Sequence, residues 1–150
     1  MEDDQTPTNQ RPSRRRGILI VDDEADIREL LSFAMKMAAF EVFLAADGMV
    51  AARIYRRQYK QIDIVLLDVQ MPLWDGPRTL EVLQAFRPQV RCCFMSGDLG
   101  RYTEEFLRDA GALMVFQKPL SAAALGQTLM DLAMSPEPCP QAETAAAPNS

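Results

Sequence analysis

Histidine is absent from this 150-residue sequence, and its absence removes several classes of chemistry. Ser-His-Asp and Cys-His triads require an imidazole, as do histidine metal sites. The chain also cannot carry a phosphoryl group on histidine. Any covalent or metal chemistry must therefore rest on carboxylates, hydroxyls and lysine.

Cysteine is scarce as well, with three residues and no CxxC spacing. Cys92 and Cys93 are adjacent in an apolar stretch, whereas Cys139 stands alone in a proline-rich segment. This distribution supports neither a zinc site nor a dithiol redox motif. It is typical of two small core residues and one exposed thiol.

Long apolar runs are missing too, because none approaches the roughly 18 residues that a membrane span requires. The N-terminus, MEDDQTPTNQ, is acidic and polar where a signal peptide would be basic and then apolar. We therefore expect a cytoplasmic protein that does not associate with membranes. The net charge of −5 argues against a general affinity for nucleic acid, although residues 14–16 are all arginine.

Short apolar runs do occur, and they alternate with stretches of helical periodicity. The runs are nearly continuous, which is typical of strands covered on both faces. They are GILIV (17–21), EVFLA (41–45), IDIVLL (62–67), VRCCFM (90–95) and ALMVF (112–116). The helical stretches are the one that starts at Glu24 and those at 48–59, 76–87, 100–110 and 121–133. This pattern predicts an α/β fold, a doubly wound parallel sheet of five strands with five helices on its two faces.

The ends of the chain differ in composition from this middle. Residues 1–16 are polar, and the segment SPEPCPQAETAAAPNS (135–150) carries four prolines and little that could pack. We expect one domain at 17–133 between disordered tails at 1–16 and 134–150. The C-terminal tail is too short for a DNA-binding or catalytic domain, so we expect the output to be received by another protein, by a phosphotransfer partner, or by a longer parent chain if this sequence is a piece of one.

Polar residues follow four of the five predicted strands. In a doubly wound sheet the site lies beyond the carboxyl ends of the strands. The residues at these ends are Asp22 and Asp23, Asp68, Ser96, and Lys118 followed by Pro119. Each has an ordinary explanation, such as a helix N-cap, a turn residue or a strand-ending lysine. Their coincidence at one edge of the sheet indicates a functional site.

The chemistry of this set follows from its charges. Three clustered carboxylates repel one another, so ionising all of them is costly unless a cation joins them. Magnesium fits best, because it prefers oxygen ligands and typically takes one or two carboxylates plus phosphate oxygens. Asp68 can then act as a nucleophile toward a phosphoryl group that Lys118 helps to neutralise and to which Ser96 donates a hydrogen bond. The sequence therefore predicts an acyl-phosphate site.

At these residues the sequence resembles the response-regulator receiver domain of two-component signalling. The resemblance covers roughly residues 17–133 and rests on four segments in the expected order. They are ILIVDDE (18–24), IVLLDVQMPLWDG (64–76), MSG (95–97) and KP (118–119). The resemblance implies the flavodoxin-like strand order 2-1-3-4-5.

It also implies a role for each matching residue. These roles are Asp68 as phosphoacceptor, Asp22 and Asp23 as metal-binding acids, Ser96 as switch hydroxyl and Lys118 as the phosphate-pairing cation. The backbone carbonyl of Gln70 is implied to complete the magnesium shell, and the Lys118–Pro119 bond to be cis. The polar side chains of Gln70 and Asp98 are implied to orient water for hydrolysis; the alternative is two solvated loop residues.

The sequence departs from the family at one position of the switch. Family members often carry Tyr or Phe three residues before the lysine, where this chain has Val115. Phe116 is one residue away, and a shift of one residue in a strand reverses the face of the side chain, so we expect Phe116 in the core. We therefore expect Ser96 and its loop to respond to phosphorylation, with a smaller change at the face formed by the fourth and fifth helices and the fifth strand.

The resemblance implies a phosphoryl donor and a mode of output. The donor is a phosphohistidine on a sensor histidine kinase or a histidine phosphotransfer protein. The domain is implied to catalyse its own phosphorylation and to hydrolyse the product slowly, which makes it a switch rather than an enzyme. Its output is expected to pass to a downstream protein without direct contact with nucleic acid.

Three other interpretations fit the sequence less well. A phosphohydrolase of the haloacid-dehalogenase type would carry DxD at its nucleophile, but the second position here is Gln70, which cannot donate an acidic proton. A flavodoxin-like nucleotide binder would need a GxGxxG or P-loop motif, and the sequence has neither. A receiver fold that binds partners without phosphorylation is disfavoured because all five site residues are present.

Overall fold

A computed structural model of the chain describes residues 14–135, in which strands and helices alternate. The strands are β1 (Gly17–Val21), β2 (Glu41–Ala45), β3 (Ile64–Asp68), β4 (Cys92–Ser96) and β5 (Ala112–Gln117). The helices are α1 (Ala25–Met37), α2 (Gly48–Gln58), α3 (Gly76–Phe86), α4 (Glu104–Asp109) and α5 (Ala122–Met134). Most of both predicted tails lies outside the described residues. Within the described part, no helix is long and apolar enough to cross a membrane.

The five strands form one parallel sheet in the order β2-β1-β3-β4-β5. This confirms the predicted fold class and strand order. The winding of the sheet reverses between β1 and β3, which is where ligands bind in open α/β sheets. Val21 of β1 pairs with Leu67 of β3, so the residues that follow them, Asp22 and Asp68, lie at the same level of the sheet.

Successive side chains of the central strands enter two separate cores. Leu19 packs on the face covered by α2, α3 and α4, and Ile18 packs on the opposite face, covered by α1 and α5. All residues of β1, β3 and β4 are buried, as the continuous apolar runs predict. Cys92 and Cys93 are buried on opposite faces, which confirms that both are core residues.

Polar side chains mark where three of the helices begin. Asp47 caps α2, Asp75 caps α3 and Thr103 caps α4, each by accepting a hydrogen bond from a backbone N–H in the first turn. The prediction of a helix over 100–110 is wrong in its extent. Gly100 has a left-handed φ of 65°, and α4 begins only after Thr103, so the segment before it is a loop.

Candidate functional site

Three carboxylates meet at the carboxyl ends of β1 and β3. Asp22 and Asp23 follow β1, and Asp68 ends β3; one oxygen of each lies within 4.8 Å of the others. Asp22 is fully buried and Asp68 is 6% exposed, whereas Asp23 is exposed. The structure thus brings together all three acids named from the sequence.

Lys118 brings a positive charge to this cluster from the end of β5. Its Nζ lies 3.0 Å from Oδ2 of Asp22 and 3.6 Å from Oδ2 of Asp68, with Glu24 at 4.0 Å. The Lys118–Pro119 peptide bond is cis, as the resemblance implied. One ammonium group therefore faces two buried carboxylates at once, and the cluster retains an excess of negative charge.

The charges of the cluster perturb the pKa values of its members. Burial raises the pKa of Asp68 from its ordinary 3.8 to about 6, and the negative charge of Asp22 adds to this effect. Lys118 and the backbone N–H of Gln70 oppose the rise. Burial lowers the pKa of Lys118, but the hydrogen bond to Asp22 and the charge of Asp68 outweigh it, so that pKa is raised. The lysine therefore stays protonated at neutral pH, and most of the Asp68 population is ionised.

Neither Asp22 nor Asp23 is the N-cap residue of α1. The residue that precedes α1 is Glu24, and its side chain makes no capping hydrogen bond. Asp22 instead accepts a hydrogen bond of 2.8 Å from the backbone N–H of Glu24 through Oδ1. Its other oxygen, Oδ2, remains directed at Lys118. The turn therefore holds the buried carboxylate in a fixed orientation at the site.

The donor set fits a small, hard divalent cation. Three carboxylates supply oxygen ligands, and the excess of negative charge needs a second cation besides Lys118. Oxygens bound to one Mg²⁺ at about 2.1 Å are at most about 4.2 Å apart. The observed spread of up to 4.8 Å therefore needs only a small inward movement of the side chains.

Ser96 lies beside the carboxylate cluster at the end of β4. Met95 pairs with Asp68 across the sheet, so Ser96 stands one residue further along the same edge. It is 4% exposed, and its Oγ accepts a hydrogen bond of 2.9 Å from the backbone N–H of Asp98. Because Oγ accepts this bond, the proton of the hydroxyl remains available for donation.

Gln70 and Asp98 connect the loops after β3 and β4. The Gln70 side chain donates to the backbone carbonyl of Asp98 at 2.9 Å, and the Asp98 carboxylate accepts from the N–H of Gly100 at 2.9 Å. A Cβ at residue 100 would collide with the Gln70 amide, so the two loops are in close contact. Both side chains are exposed, but each also has a hydrogen-bond partner within the protein.

Val115 and Phe116 point to opposite faces of the sheet. Val115 packs on the face covered by α2, α3 and α4, whereas Phe116 packs against the core under α1 and α5. The predicted face of Phe116 is confirmed, and its half-buried side chain packs against the core without being fully enclosed by it. The site therefore has an aliphatic side chain where the family often has a ring.

Sequence reasoning did not identify Tyr102, in the loop between β4 and α4. Its hydroxyl donates a 2.6 Å hydrogen bond to Oδ2 of Asp75, in the loop after β3. The available signal was its place four residues before Phe106, at a spacing that brings two aromatic rings together at the start of a helix. The acceptor is distant in sequence, so no local pattern could indicate the hydrogen bond.

Comparison with known proteins assigns the chain to a family. The family model of the response regulator receiver domain matches residues 18–130. Sporulation initiation phosphotransferase F of Bacillus subtilis (strain 168) is 35% identical over 104 residues, which are 68% of this chain and 81% of that protein. Sensor kinase CckA of Brucella abortus (strain 2308) is 33% identical over 119 residues, which are 77% of this chain but 12% of that kinase.

Solved structures agree with this assignment. A chain of the CheX–CheY–BeF3–Mg²⁺ complex from Borrelia burgdorferi superimposes with a TM-score of 0.74 and 30% identity, over 80% of this chain and 90% of that chain. CheY4 of Vibrio cholerae shares the fold, with a TM-score of 0.73 and 23% identity over 79% of this chain and 99% of that one. Since the family model spans nearly the whole described region, this chain belongs to the response regulator receiver domain family of two-component signalling.

Proposed function

We propose that this chain is a phosphorylation-activated switch in which Asp68 accepts a phosphoryl group from a phosphohistidine of a partner protein. The observation that carries the proposal is the position of Lys118, whose ammonium lies 3.0 Å from Asp22 and 3.6 Å from Asp68. A cation held between two buried carboxylates can contact an oxygen of a group attached to Asp68 with little movement. An acid that only capped a helix, or a lysine that only belonged to the charged surface, would not need to be part of such a cluster.

The transfer follows from the chemistry of the side chains. A carboxylate oxygen of Asp68 attacks phosphorus while the P–N bond to the donor breaks, and its electron pair remains on the imidazole nitrogen. Because the pKa of Asp68 is about 6, the nucleophile is mostly ionised at neutral pH. Lys118 and the Ser96 hydroxyl stabilise negative charge on the phosphoryl oxygens.

A Mg²⁺ ion bound by Asp22, Asp23, Asp68 and the backbone carbonyl of Gln70 would supply further neutralisation of phosphoryl charge. Backbone groups of neighbouring residues keep the acids in place. The backbone of Glu24 fixes Asp22, and the backbone N–H of Gln70 fixes Asp68. These contacts orient the acids before a ligand arrives.

We class the protein as a switch that catalyses its own phosphorylation and slow dephosphorylation. Hydrolysis of the aspartyl phosphate requires a water molecule directed at phosphorus, and the nearby polar side chains are those of Gln70 and Asp98. Gln70 is two residues beyond Asp68, and its side chain donates a hydrogen bond to the Asp98 carbonyl, which supports a role for both residues near the site. The Gln70 amide cannot act as a general base, and one oxygen of the Asp98 carboxylate already accepts a hydrogen bond from the N–H of Gly100, which is consistent with slow hydrolysis.

The donor class is supported by the relatives. One is a phosphotransferase of sporulation, and another is a sensor kinase that is much longer than this chain. We propose that the receiver domain spans residues 17–133, that a sensor histidine kinase or a histidine phosphotransfer protein delivers the phosphoryl group, and that a downstream protein reads the result.

The experiment that tests the proposal is intact-mass spectrometry after incubation with Mg²⁺ and a small phosphoryl donor. Acetyl phosphate tests the acyl-phosphate chemistry, and phosphoramidate supplies the P–N bond of the proposed donor. We expect one phosphoryl adduct on the wild type and on the control Asp109→Ala, an exposed acid on α4. Asp68→Ala should show none.

Other outcomes would contradict parts of the proposal. A folded wild type that binds Mg²⁺ but forms no adduct with either donor would favour a phosphorylation-independent binding module. Consumption of the donor by Asp68→Ala at the wild-type rate would show that Asp68 is not the nucleophile.

A further inference from the structure

Tyr102 connects the loop after β4 to the loop after β3. Its hydroxyl donates to Oδ2 of Asp75 at 2.6 Å, and it accepts a hydrogen bond of 3.1 Å from Arg101. Its ring stacks on that of Phe106, with centroids 5.2 Å apart and an interplanar angle of 22°. The side chain is half-buried and is held by contacts at both the ring and the hydroxyl.

The acceptor, Asp75, is itself anchored to a helix. Its Oδ1 accepts a hydrogen bond from the backbone N–H of Arg78 at 3.0 Å and so caps α3. The two carboxylate oxygens therefore have separate partners, one in α3 and one in the loop after β4. Since the acceptor carries a charge, the bond from Tyr102 is stronger than one between neutral groups.

The segment from Ser96 to Tyr102 is internally hydrogen-bonded. The N–H of Asp98 donates to Oγ of Ser96 at 2.9 Å, and the Asp98 carboxylate accepts from Gly100 at 2.9 Å. The N–H of Tyr102 donates to the carbonyl of Leu99 at 3.1 Å. These bonds connect Ser96 to Tyr102 through one compact turn.

We propose that Tyr102 is a positioning residue, whose hydrogen bond to Asp75 holds the loop after β4 against α3 and opposes the movement of the Ser96 hydroxyl toward a phosphoryl group on Asp68. This inference rests on the proposed function and adds the contact that holds the loop after β4 in its resting position. The bond biases the equilibrium between the resting and the phosphoryl-bound loop. The side chain of Val115 cannot provide such a restraint, because it has neither a hydroxyl nor an aromatic ring.

The test compares the wild type with Tyr102→Phe, which removes the hydroxyl and keeps the ring that stacks on Phe106. The ligand is beryllofluoride with Mg²⁺, a mimic of the phosphoryl group, and its affinity is followed by amide chemical shifts. A lost restraint on the resting loop should tighten binding of the mimic about threefold to tenfold. The affinity for Mg²⁺ alone should not change, because the carboxylates lie outside this loop.

Two further variants isolate the hydrogen bond. Asp75→Asn keeps a side chain able to cap α3 but removes the charge that Tyr102 contacts. In the Asp75→Asn background, Tyr102→Phe should change the affinity for beryllofluoride less than it does in the wild-type background. Tyr59→Phe is the matched control, because Tyr59 is half-buried and the structure records no hydrogen bond of its hydroxyl among residues 14–135. It should bind the mimic as the wild type does.

The outcomes separate this inference from the proposed function. If the wild type and Tyr102→Phe bind the mimic equally, or if the variant binds more weakly, Tyr102 does not restrain the resting loop and only this inference fails. If Tyr102→Phe weakens Mg²⁺ binding too, its role is structural and the inference also fails. A wild type that binds Mg²⁺ but not the mimic would overturn the proposed function, and the inference with it.

Discussion

Lys118 and Asp22 are 96 residues apart in the sequence, yet their side chains form a hydrogen bond of 3.0 Å at the carboxyl edge of the sheet. Asp22 is fully buried, so its charge would be costly without this partner. The same ammonium lies 3.6 Å from Asp68. One lysine thus stabilises two neighbouring carboxylates and leaves the site with enough negative charge to bind a metal.

Removing the Lys118 ammonium should destabilise the protein. We expect Lys118→Ala to lower the free energy of unfolding by about 1–2 kcal/mol without Mg²⁺, less than for a fully buried pair because the ammonium still contacts water. Chemical denaturation measures this change. Mg²⁺ should restore part of the lost free energy of unfolding, because a second cation can neutralise the same acids.

The control for this prediction is Arg108→Ala, which breaks an exposed ion pair between Arg108 and Glu104. Its effect should stay below about 0.5 kcal/mol. Equal stability of the Lys118 and Arg108 variants would mean that the pair between Lys118 and Asp22 has no special energetic role.

The raised pKa of Asp68 predicts a pH dependence of stability. Because its pKa is about 6 in the folded chain and near 3.8 when unfolded, the folded state binds more protons between these values, and stability falls as pH rises through about 6. Asp68→Asn removes the titrating group. Without Mg²⁺ it should be more stable than the wild type by about 2–3 kcal/mol at pH 8 and no more stable below pH of about 4.

Denaturation curves across this pH range check the sign and the size of the effect. Asp109→Asn, at an exposed position on α4, should follow the wild type at every pH. Mg²⁺ should reduce the difference in stability between Asp68→Asn and the wild type, since the metal favours the ionised carboxylate. A difference that is constant with pH, or that grows toward acid pH, would contradict a raised pKa.

Val115 predicts where a phosphoryl mimic changes the structure. With no aromatic ring at this position of β5, we expect large amide chemical-shift changes in the loops around the site, including residues 97–103. Changes along β5 and α5 should be smaller. Spectra with and without beryllofluoride measure the pattern, and large shifts throughout the face formed by α4, β5 and α5 would refute this prediction.

Gln70 and Asp98 are predicted to control the lifetime of the phosphoryl group. Replacing both with leucine should slow hydrolysis about threefold to tenfold, because the polar groups that can orient water are lost. Decay of the phosphorylated mass measures this rate. Gln84→Leu is a matched control, since the Gln84 amide donates a similar hydrogen bond of 2.9 Å to the carbonyl of Ala110 away from the site. An unchanged rate in the double variant would remove the hypothesis.

Some elements were easier to predict than others. The strands β1 and β2 have the predicted boundaries, and in β1 the buried apolar run ends sharply at Asp22. Helix α4 is much shorter than predicted, since composition alone does not show where Gly100 turns the chain or where Thr103 caps the helix. Local side-chain patterns therefore predict which kind of element forms better than where a short helix begins.

The identity of the site residues followed from chain order, since a residue that ends a buried parallel strand must lie at the carboxyl edge of the sheet. Chain order alone was enough to group Asp22, Asp68 and Lys118. Only the tertiary structure revealed their hydrogen bonds and the contact of Tyr102 with Asp75, because these pairs join residues far apart in the sequence. Distances, burial and shifted pKa values depend on how separate loops pack against one another, and packing between distant segments has no local signature in the amino-acid sequence.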